Sequence, residues 1–355
     1  MKPLLSICVP TFNRAEMLFN LLECLVAEIT PFKDEVELII SDNCSTDHTT
    51  EVIEQMSKRI KIQYNRNSEN LGPGFNIKLL VEKLNTGEFC WIFSDDDILR
   101  KGSIKKILKV IKMHPHLDYI FMNTSLERDR SRIKEIFNHD LISQIVYWPT
   151  EDCILEKWEE TIRMTEVLYP VTQLPCYIFR RSQWQTLSIS DYKFCSSFES
   201  TYPHIAGLIP EMVGKPCYYI GHPYVGFFLG AQDWGHIWWP KILVVYTLEL
   251  SNQLKKFGVS KDLIDKYRNM IFRNAIPAFW DVMAKRKPGR ESFSLKAMLK
   301  RYYKYPEFWR MIFIYPLSRR MHNIFRTLEI LRIKYINYTE DSLNFIKNTL
   351  NRNPF

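Results

Sequence analysis

The sequence predicts an α/β protein: a mostly parallel central sheet flanked by helices, followed by a helical extension at the C-terminal end. Three observations carry that expectation. Strand-length apolar runs alternate with helix-period segments from residue 4 to residue 122, the pattern of a parallel sheet with helices on both faces. Polar clusters fall directly after the strand-like runs, where ligands bind in such sheets. Beyond residue 125 the alternation fades, and residues 239–283 and 295–350 read as helices.

The elements follow in order. Residues 4–9 (LLSICV) are a short apolar run of buried-strand type. Met17, Leu18, Leu21, Leu22, Leu25 and Val26 recur at helical spacing over 15–28. Residues 36–41 form the second strand, 46–58 the second helix and 60–64 the third strand. A third helix over 75–84 is entered through Gly72-Pro73-Gly74. Residues 88–93 (EFCWIF) give the fourth strand, 103–113 the fourth helix and 118–122 a fifth strand. Further on, 125–145 reads as charged and irregular, 154–167 as helix, 176–180 as strand, 197–208 as partly helical and 218–229 as an aromatic strand. A boundary near 238 divides a core, 1–238, from a helical region, 239–355; the core splits into halves at 125/126.

Composition sets the outer limits. With 355 residues, 46% hydrophobic and 25% charged, the chain can bury a substantial core. Its eight cysteines include no Cys-x-x-Cys pair, so reduced buried thiols are expected rather than zinc or disulfides. Pro10 ends the first apolar run too early for a signal peptide, and no stretch approaches a spanning length. The expectation is a cytoplasmic protein without a transmembrane segment. Charge is unevenly spread: residues 285–334 hold 14 Lys/Arg and three acids, +11 in a chain whose total is +8. Interleaved with Tyr, Phe, Trp and Leu, these cations suit an anionic membrane surface. Solvated helix faces are the plainer alternative, and no nucleic-acid motif accompanies the charge.

Four clusters carry chemistry: Pro10-Thr11-Phe12-Asn13-Arg14 after the first strand, Ser41–Asp47 after the second, Asn70–Asn76 opening the third helix, and Ser94-Asp95-Asp96-Asp97 after the fourth strand. Three successive carboxylates repel one another unless a cation sits among them, and hard oxygen ligands suit Mg²⁺ or Mn²⁺. A helix N-terminus would also favour acids, but needs one or two rather than three. Asp42, at a strand tip, can accept from a base N–H or a ribose hydroxyl, although Ser45 or Thr46 could be there only as a helix cap. Neither Gly-x-Gly-x-x-Gly after the first strand nor a Walker A loop is present, which argues against a nicotinamide site and a P-loop.

The order Ser-x-x-Val-Pro-Thr-Phe-Asn-Arg, Ser-Asp-Asn-x-Ser-Thr-Asp, Asn-x-Gly-x-x-x-Asn and Ser-Asp-Asp-Asp resembles the family 2 glycosyltransferases. The resemblance is strong over 3–125, loose over 170–235, and leans toward bacterial O-antigen sugar transferases of the abequosyltransferase kind. It implies a GT-A, Rossmann-like fold and transfer of a sugar from a nucleoside-diphosphate sugar to a saccharide, lipid-linked acceptor at the inner face of the plasma membrane. It implies that Pro10, Thr11, Asn13, Arg14, Asp42, Asn70 and Asn76 bind or support the nucleotide. Asp95 and Asp96 would face the sugar nucleotide, and Asp96 with Asp97 would hold Mn²⁺ or Mg²⁺. Ser94 stands where the family often has an acid. The Glu-Asp pair that often supplies the base is reduced to Phe198-Glu199-Ser200, which makes Glu199 the candidate base and Asp191 the alternative. Tyr177 and Arg180 lie where an acceptor is often held; Asp233 and Trp234 fall in a polar aromatic loop that could close over donor or acceptor. Sugar nucleotidyl transfer and a non-catalytic membrane module on a degenerate core are the competing classes.

Overall fold

The computed structural model describes residues 2–138, 146, 148–165, 172–189, 196–228, 242–283 and 295–309. Nine strands form one sheet in the order β3-β2-β1-β4-β8-β6-β9-β5, with β7 paired to β9 off this path. The strands are β1 (Leu5–Thr11), β2 (Val36–Asp42), β3 (Ile62–Arg66), β4 (Phe89–Ile92), β5 (Ile98–Leu99), β6 (Tyr119–Glu127), β7 (Cys153–Leu155), β8 (Tyr177–Arg180) and β9 (Cys217–Phe228). Ladders β3-β2, β2-β1 and β1-β4 are parallel, as the alternating N-terminal pattern requires. Past β4 the sheet turns mixed: β8 runs antiparallel to both β4 and β6, while β6 and β9 are parallel.

The helices are α1 (Ala15–Ile29), α2 (Thr49–Ser57), α3 (Gly72–Leu79, prolonged by a π turn over Leu80–Leu84), α4 (Ser103–Met113), α5 (Ile133–Phe137), α6 (Glu160–Met164), α7 (Phe198–Thr201) and α8 (Pro203–Met212). A π turn over Ile242–Tyr246 leads into α9 (Thr247–Lys256), α10 (Lys261–Met283) and α11 (Leu295–Tyr302).

Strand alternation sorts the core into two layers. Leu5, Ile7 and Val9 of β1, with Leu38 and Ile40 of β2, face one layer with α1 and α4. Cys8 and Ile39, between them in sequence, face the other with α3, α8, α9 and α10. Helix α4 shows how the pattern fixes a face: Ile104, Ile107, Leu108 and Ile111 are buried at 0–5% exposure, each contributing about 1.5–3 kcal/mol. Its N-terminus is capped from α1, where buried Glu28 accepts from the backbone N–H of Gly102 (2.8 Å) and Ile104 (3.2 Å).

Two elements differ from expectation. Residues 153–155 form an edge strand against β9 instead of opening a helix, and among the described residues of that segment Glu160–Met164 is the helical part. Gly221 permits the pairing: a Cβ there would lie 2.4 Å from the Glu151 carbonyl oxygen. The segment after 125 is also more regular than its charge suggests, since β6 runs on to Glu127 and α5 follows. Its strand end is held by a buried ion pair, Arg100 Nη2 to Glu127 Oε1 at 2.7 Å.

The helices beyond 242 do not stand apart from the sheet. Leu250, Leu254, Tyr267, Phe272, Tyr302 and Phe308 share one buried cluster with Tyr177, Tyr202 and Leu208. The expected boundary near 238 falls outside the described residues, as do Arg310 and the rest of the basic segment to 334. Among the described residues no helix is long and apolar enough to cross a membrane.

Candidate functional site

β2, β1 and β4 lie side by side and parallel, so their carboxyl ends open on one edge. Thr11 is in register with Asp42, and Asp95 follows β4 within three residues. Adjacent strands stand about 4.8 Å apart, which puts the β2 and β4 tips roughly 10 Å from one another. The expected clusters at 10–14, 41–47 and 94–97 therefore share one crevice.

Cross-bracing fixes these loops. Asn13, held at φ 52°, donates its N–H to Ser45 Oγ (2.8 Å), and its Oδ1 accepts from the Thr46 N–H (2.7 Å). Asp47 Oδ2 accepts from the Ala15 N–H at 3.0 Å and so caps α1 from a neighbouring loop. Partial burial pushes the Asp47 carboxyl up, but hydrogen bonds from Thr49 and Ala15 outweigh it and hold the group below its usual value. Arg14 stands at the N-cap position of α1 and makes no side-chain cap bond. Its guanidinium reaches to the acids: Nη1 lies 2.7 Å from Asp95 Oδ1 and 3.1 Å from Asp96 Oδ2. Pro10 and Thr11 form the floor at the end of β1, Thr11 buried and Pro10 partly so.

Asp42 is fully buried. Its Oδ1 accepts from the Ser45 N–H (2.8 Å), its Oδ2 from the Tyr64 hydroxyl (3.1 Å), and Arg66 Nε lies 3.8 Å away. The carboxylate thus shapes the β2–α2 turn. Asn76 is equally interior: its Oδ1 accepts from Ser41 Oγ (2.6 Å) and Asn67 Nδ2 (3.1 Å), and its Nδ2 donates to the Ser41 carbonyl (2.8 Å). Asn70 Oδ1 accepts from Asn43 Nδ2 (2.8 Å) and the Gly72 N–H (2.9 Å). Asn43 in turn accepts from Asn67 (3.0 Å) and the Leu71 N–H (2.9 Å). Asn43 is marked in the sequence only by its place in the Ser41–Asp47 cluster and Asn67 not at all; only contact in space reveals this amide chain tying α3 to β2.

Asp95, Asp96 and Asp97 are each 4–5% exposed. Burial pushes Asp95 up to about 6, with Arg14 pulling it down and Asp96 pushing it further up. Asp97 is raised well above the usual range by burial and then by Asp96. Against that, the Phe228 N–H donates to Asp97 Oδ1 at 3.4 Å. Asp96 Oδ1 accepts from the Ser94 hydroxyl. A further cation, missed in the sequence, guards the trio. Arg130 Nη2 donates to the Asp96 carbonyl oxygen at 2.9 Å, and its guanidinium lies 4.3 Å from the centre of the Phe228 ring. Its only signal in the sequence is the spacing of Arg128, Arg130 and Arg132 in the segment read as irregular.

Among the described residues no group of three or more His, Cys, Asp or Glu side chains is disposed to hold a metal ion. The donor chemistry nevertheless suits a hard divalent cation: buried carboxylates with raised affinity for protons lie side by side. Mg²⁺-type ions are commonly held by one or two carboxylates, with water and phosphate completing the shell.

Glu199 lies in α7, whose start is fixed by a reciprocal Ser197–Ser200 capping box. This turn packs on the opening of α3: a Cβ at Gly74 would sit 2.8 Å from Ser200 Cα and from its carbonyl oxygen. Glu199 is thereby set beside the loop carrying Asn70. Asp191, Asp233 and Trp234 lie outside the described residues. The two acceptor candidates have other partners. Tyr177 is a core residue, 3% exposed, with its ring 5.2 Å from Phe121 and 5.7 Å from His204. Arg180 pairs in register with Phe89 at the beginning of β4, the end opposite the acids, and is engaged by Glu88 and Asp118.

Fold and crevice define a GT-A-type α/β scaffold with a polar, acid-bearing site at the strand ends. Residues 6–163 match the family profile of Glycosyl transferase family 2. It is 44% identical over 103 residues to abequosyltransferase RfbV of Salmonella typhimurium, 28% of this chain and 30% of the relative. It is 32% identical over 136 residues to the GalNAc(5)-diNAcBac-PP-undecaprenol beta-1,3-glucosyltransferase of Campylobacter jejuni, 38% of this chain and 42% of the relative. The chain therefore spans less than half the length of these relatives. Crystal structures of S. aureus TarS 1-349, alone and with UDP, share the fold at TM-score 0.53 and 18% identity, over 77% of this chain and 72% of theirs.

Proposed function

We propose that the protein transfers a sugar from a nucleoside-diphosphate sugar to a saccharide acceptor, lipid-linked, in bacterial surface polysaccharide assembly. The observation that carries the reading is the shared crevice: the Asn13 and Asp42 loops and the Asp95–Asp97 trio at adjacent parallel strand ends, joined by Arg14. The relatives' names supply the acceptor class; one acts on an undecaprenol-diphosphate-linked oligosaccharide. UDP, bound by a fold neighbour, is the first nucleotide to test.

In this reading the braced loops at 10–14 and 41–47 form the nucleotide pocket, with Asp42, Asn70 and Asn76 holding its walls from behind. Asp96 and Asp97 would hold Mn²⁺ or Mg²⁺, which when bound supplies positive charge to the departing diphosphate. Arg14 and Arg130 add fixed cations at the same place, where preorganised charge lowers the barrier. Glu199 removes the acceptor hydroxyl proton as that oxygen attacks the anomeric carbon, and the bond from that carbon to the diphosphate breaks with inversion. Asp191 is the second choice of base. Residues 1–125 would serve the donor, 126–238 the acceptor, and the basic region from 239 an anionic membrane at the cytoplasmic face.

The deciding experiment is a thermal-shift panel of UDP-, CDP-, GDP- and dTDP-sugars with and without Mn²⁺. One nucleotide is expected to stabilise the fold by mass action, and donor turnover is expected to vanish in Asp97→Asn. No shift with any nucleotide and metal would remove the donor site.

A further inference from the structure

A cavity of about 580 Å³ lies between α7 and the C-terminal helices, outside the crevice just described. Part of its lining is apolar and aromatic: Phe198, Val245, Tyr246, Leu248 and Tyr305. Lys300, Arg301 and Lys304 line it as well, with a single acid, Glu249. That acid is engaged by its own helix, accepting from Gln253 Nε2 at 3.0 Å and Asn252 Nδ2 at 3.3 Å. The cations stand on a fixed support. Tyr302 and Phe308 are 0–1% exposed, and the Tyr302 ring lies 5.6 Å from Phe272 of α10 and 5.3 Å from Phe308. A volume of this size suits a small ligand, and the wall chemistry asks for two properties in it: multiple negative charge and an adjoining apolar chain.

Position supplies the rest. Phe198 lines the cavity, and the next residue is Glu199. The same short turn abuts Gly74 at the opening of α3. α7 therefore packs between the cavity and the opening of α3. We propose that this cavity binds the diphosphate and first isoprenoid units of a lipid-diphosphate-linked acceptor, Lys300 and Lys304 pairing with the phosphates and Phe198, Leu248 and Tyr305 with the chain. The proposal rests on the transferase reading for the word acceptor, but the binding site itself does not need it.

Binding is measured by calorimetry on the full chain with farnesyl diphosphate, below its micelle concentration, against farnesol and inorganic pyrophosphate. Farnesyl diphosphate is expected to bind, and the other two more weakly, since each offers half of the required chemistry. Lys300→Ala/Lys304→Ala is expected to weaken it by about tenfold or more, the loss that follows removal of charge-assisted contacts. Asp97→Asn is expected to leave it unchanged, which separates this cavity from the donor's diphosphate site. A circular dichroism spectrum and melting temperature matching the parent show that the double variant is folded, and Glu249→Gln is expected to tighten binding. Equal binding of farnesol, or binding lost in Asp97→Asn and kept in the lysine variant, overturns the proposal. So does co-sedimentation with phosphatidylglycerol vesicles that needs both lysines while farnesyl diphosphate does not bind. If the transferase reading fails, no donor turnover is seen although farnesyl diphosphate still binds; if only the cavity fails, turnover persists without lysine-dependent binding.

Discussion

Arg14 Nη1 lies 2.7 Å from Asp95 Oδ1, and the same nitrogen is 3.1 Å from Asp96 Oδ2. One guanidinium thus answers two buried carboxylates that begin the acidic turn. Removing it takes away their ion-pair partner and leaves Arg130 as the cation beside the trio. Arg14→Ala is expected to destabilise the fold by about 3–5 kcal/mol, the cost of breaking a buried pair, read as a lowered urea midpoint at neutral pH. Arg14→Lys should recover only part, because an ammonium on a different stem does not repeat the planar guanidinium's placement between the two carboxylates. An Arg14→Ala midpoint equal to the parent's would show that the pair carries no weight.

The protonation of Asp95 gives a pH dependence of defined sign. Its carboxyl stands at about 6 in the fold, against an ordinary aspartate value of 3.8. The folded chain holds this proton longer than the unfolded one, so its contribution to stability is full below about pH 4 and is lost as pH rises through about 6. Asp97 acts in the same direction. A divalent cation must displace these protons, so Mn²⁺ affinity is expected to run oppositely, falling as pH drops from about 7.5 to 5.5. Titration calorimetry at the two values, with nucleotide present, checks this; a constant affinity contradicts it.

Glu199→Gln keeps size and polarity but removes the base. Transfer is expected to fall by about 10²–10⁴-fold, while donor binding in the thermal-shift assay stays within error. Asp191→Asn should leave most of the activity. The reverse ranking of the two variants would reassign the base.

Gly74 has a steric duty. Its missing Cβ leaves room for Ser200, whose Cα and carbonyl oxygen would be 2.8 Å from a methyl group. Backbone cannot yield as a side chain tip can, so Gly74→Ala is expected to push α7 away at a cost of about 1–3 kcal/mol. The rate should suffer more than donor affinity, because α7 carries Glu199 and not the nucleotide loops. A drop in nucleotide affinity with an unchanged rate would place the strain elsewhere.

The amide chain predicts a graded loss. Asn43→Ala removes one hydrogen bond each from Asn67 and Asn70, and should cost about 1–3 kcal/mol. Nucleotide binding should weaken with it, since the α3 opening loses one of its ties to β2. Equal melting temperatures and equal nucleotide affinity for variant and parent would contradict that role.

Much of the donor half was legible because its determinants are local. β1, β2 and β4 are mostly apolar runs, α4 has an unbroken helical stripe, and the polar clusters begin where those runs stop. The mixed second half was less legible. β5 is two residues long and β7 three, and both exist only through pairing with β9, which no local pattern announces. The same holds for side chains. Asp42 reads as a ligand-facing acid, yet Tyr64 and Ser45 enclose it; Tyr177 and Arg180 read as acceptor contacts, yet one packs in the core and the other sits at the far end of β4. Arg130 carries no local mark because its partners, Asp96 and Phe228, are distant in sequence. The run of three carboxylates after β4 located the acids, but only the fold puts Arg14 among them.

The shared burial of Tyr267, Phe272, Tyr302 and Phe308 with Tyr202 and Leu208 has a practical corollary. A shortened chain ending near 238 would lay bare the face of α8 and leave a wide apolar patch in water, inviting aggregation. Soluble fragments should therefore be sought only with the polypeptide carried through Phe308.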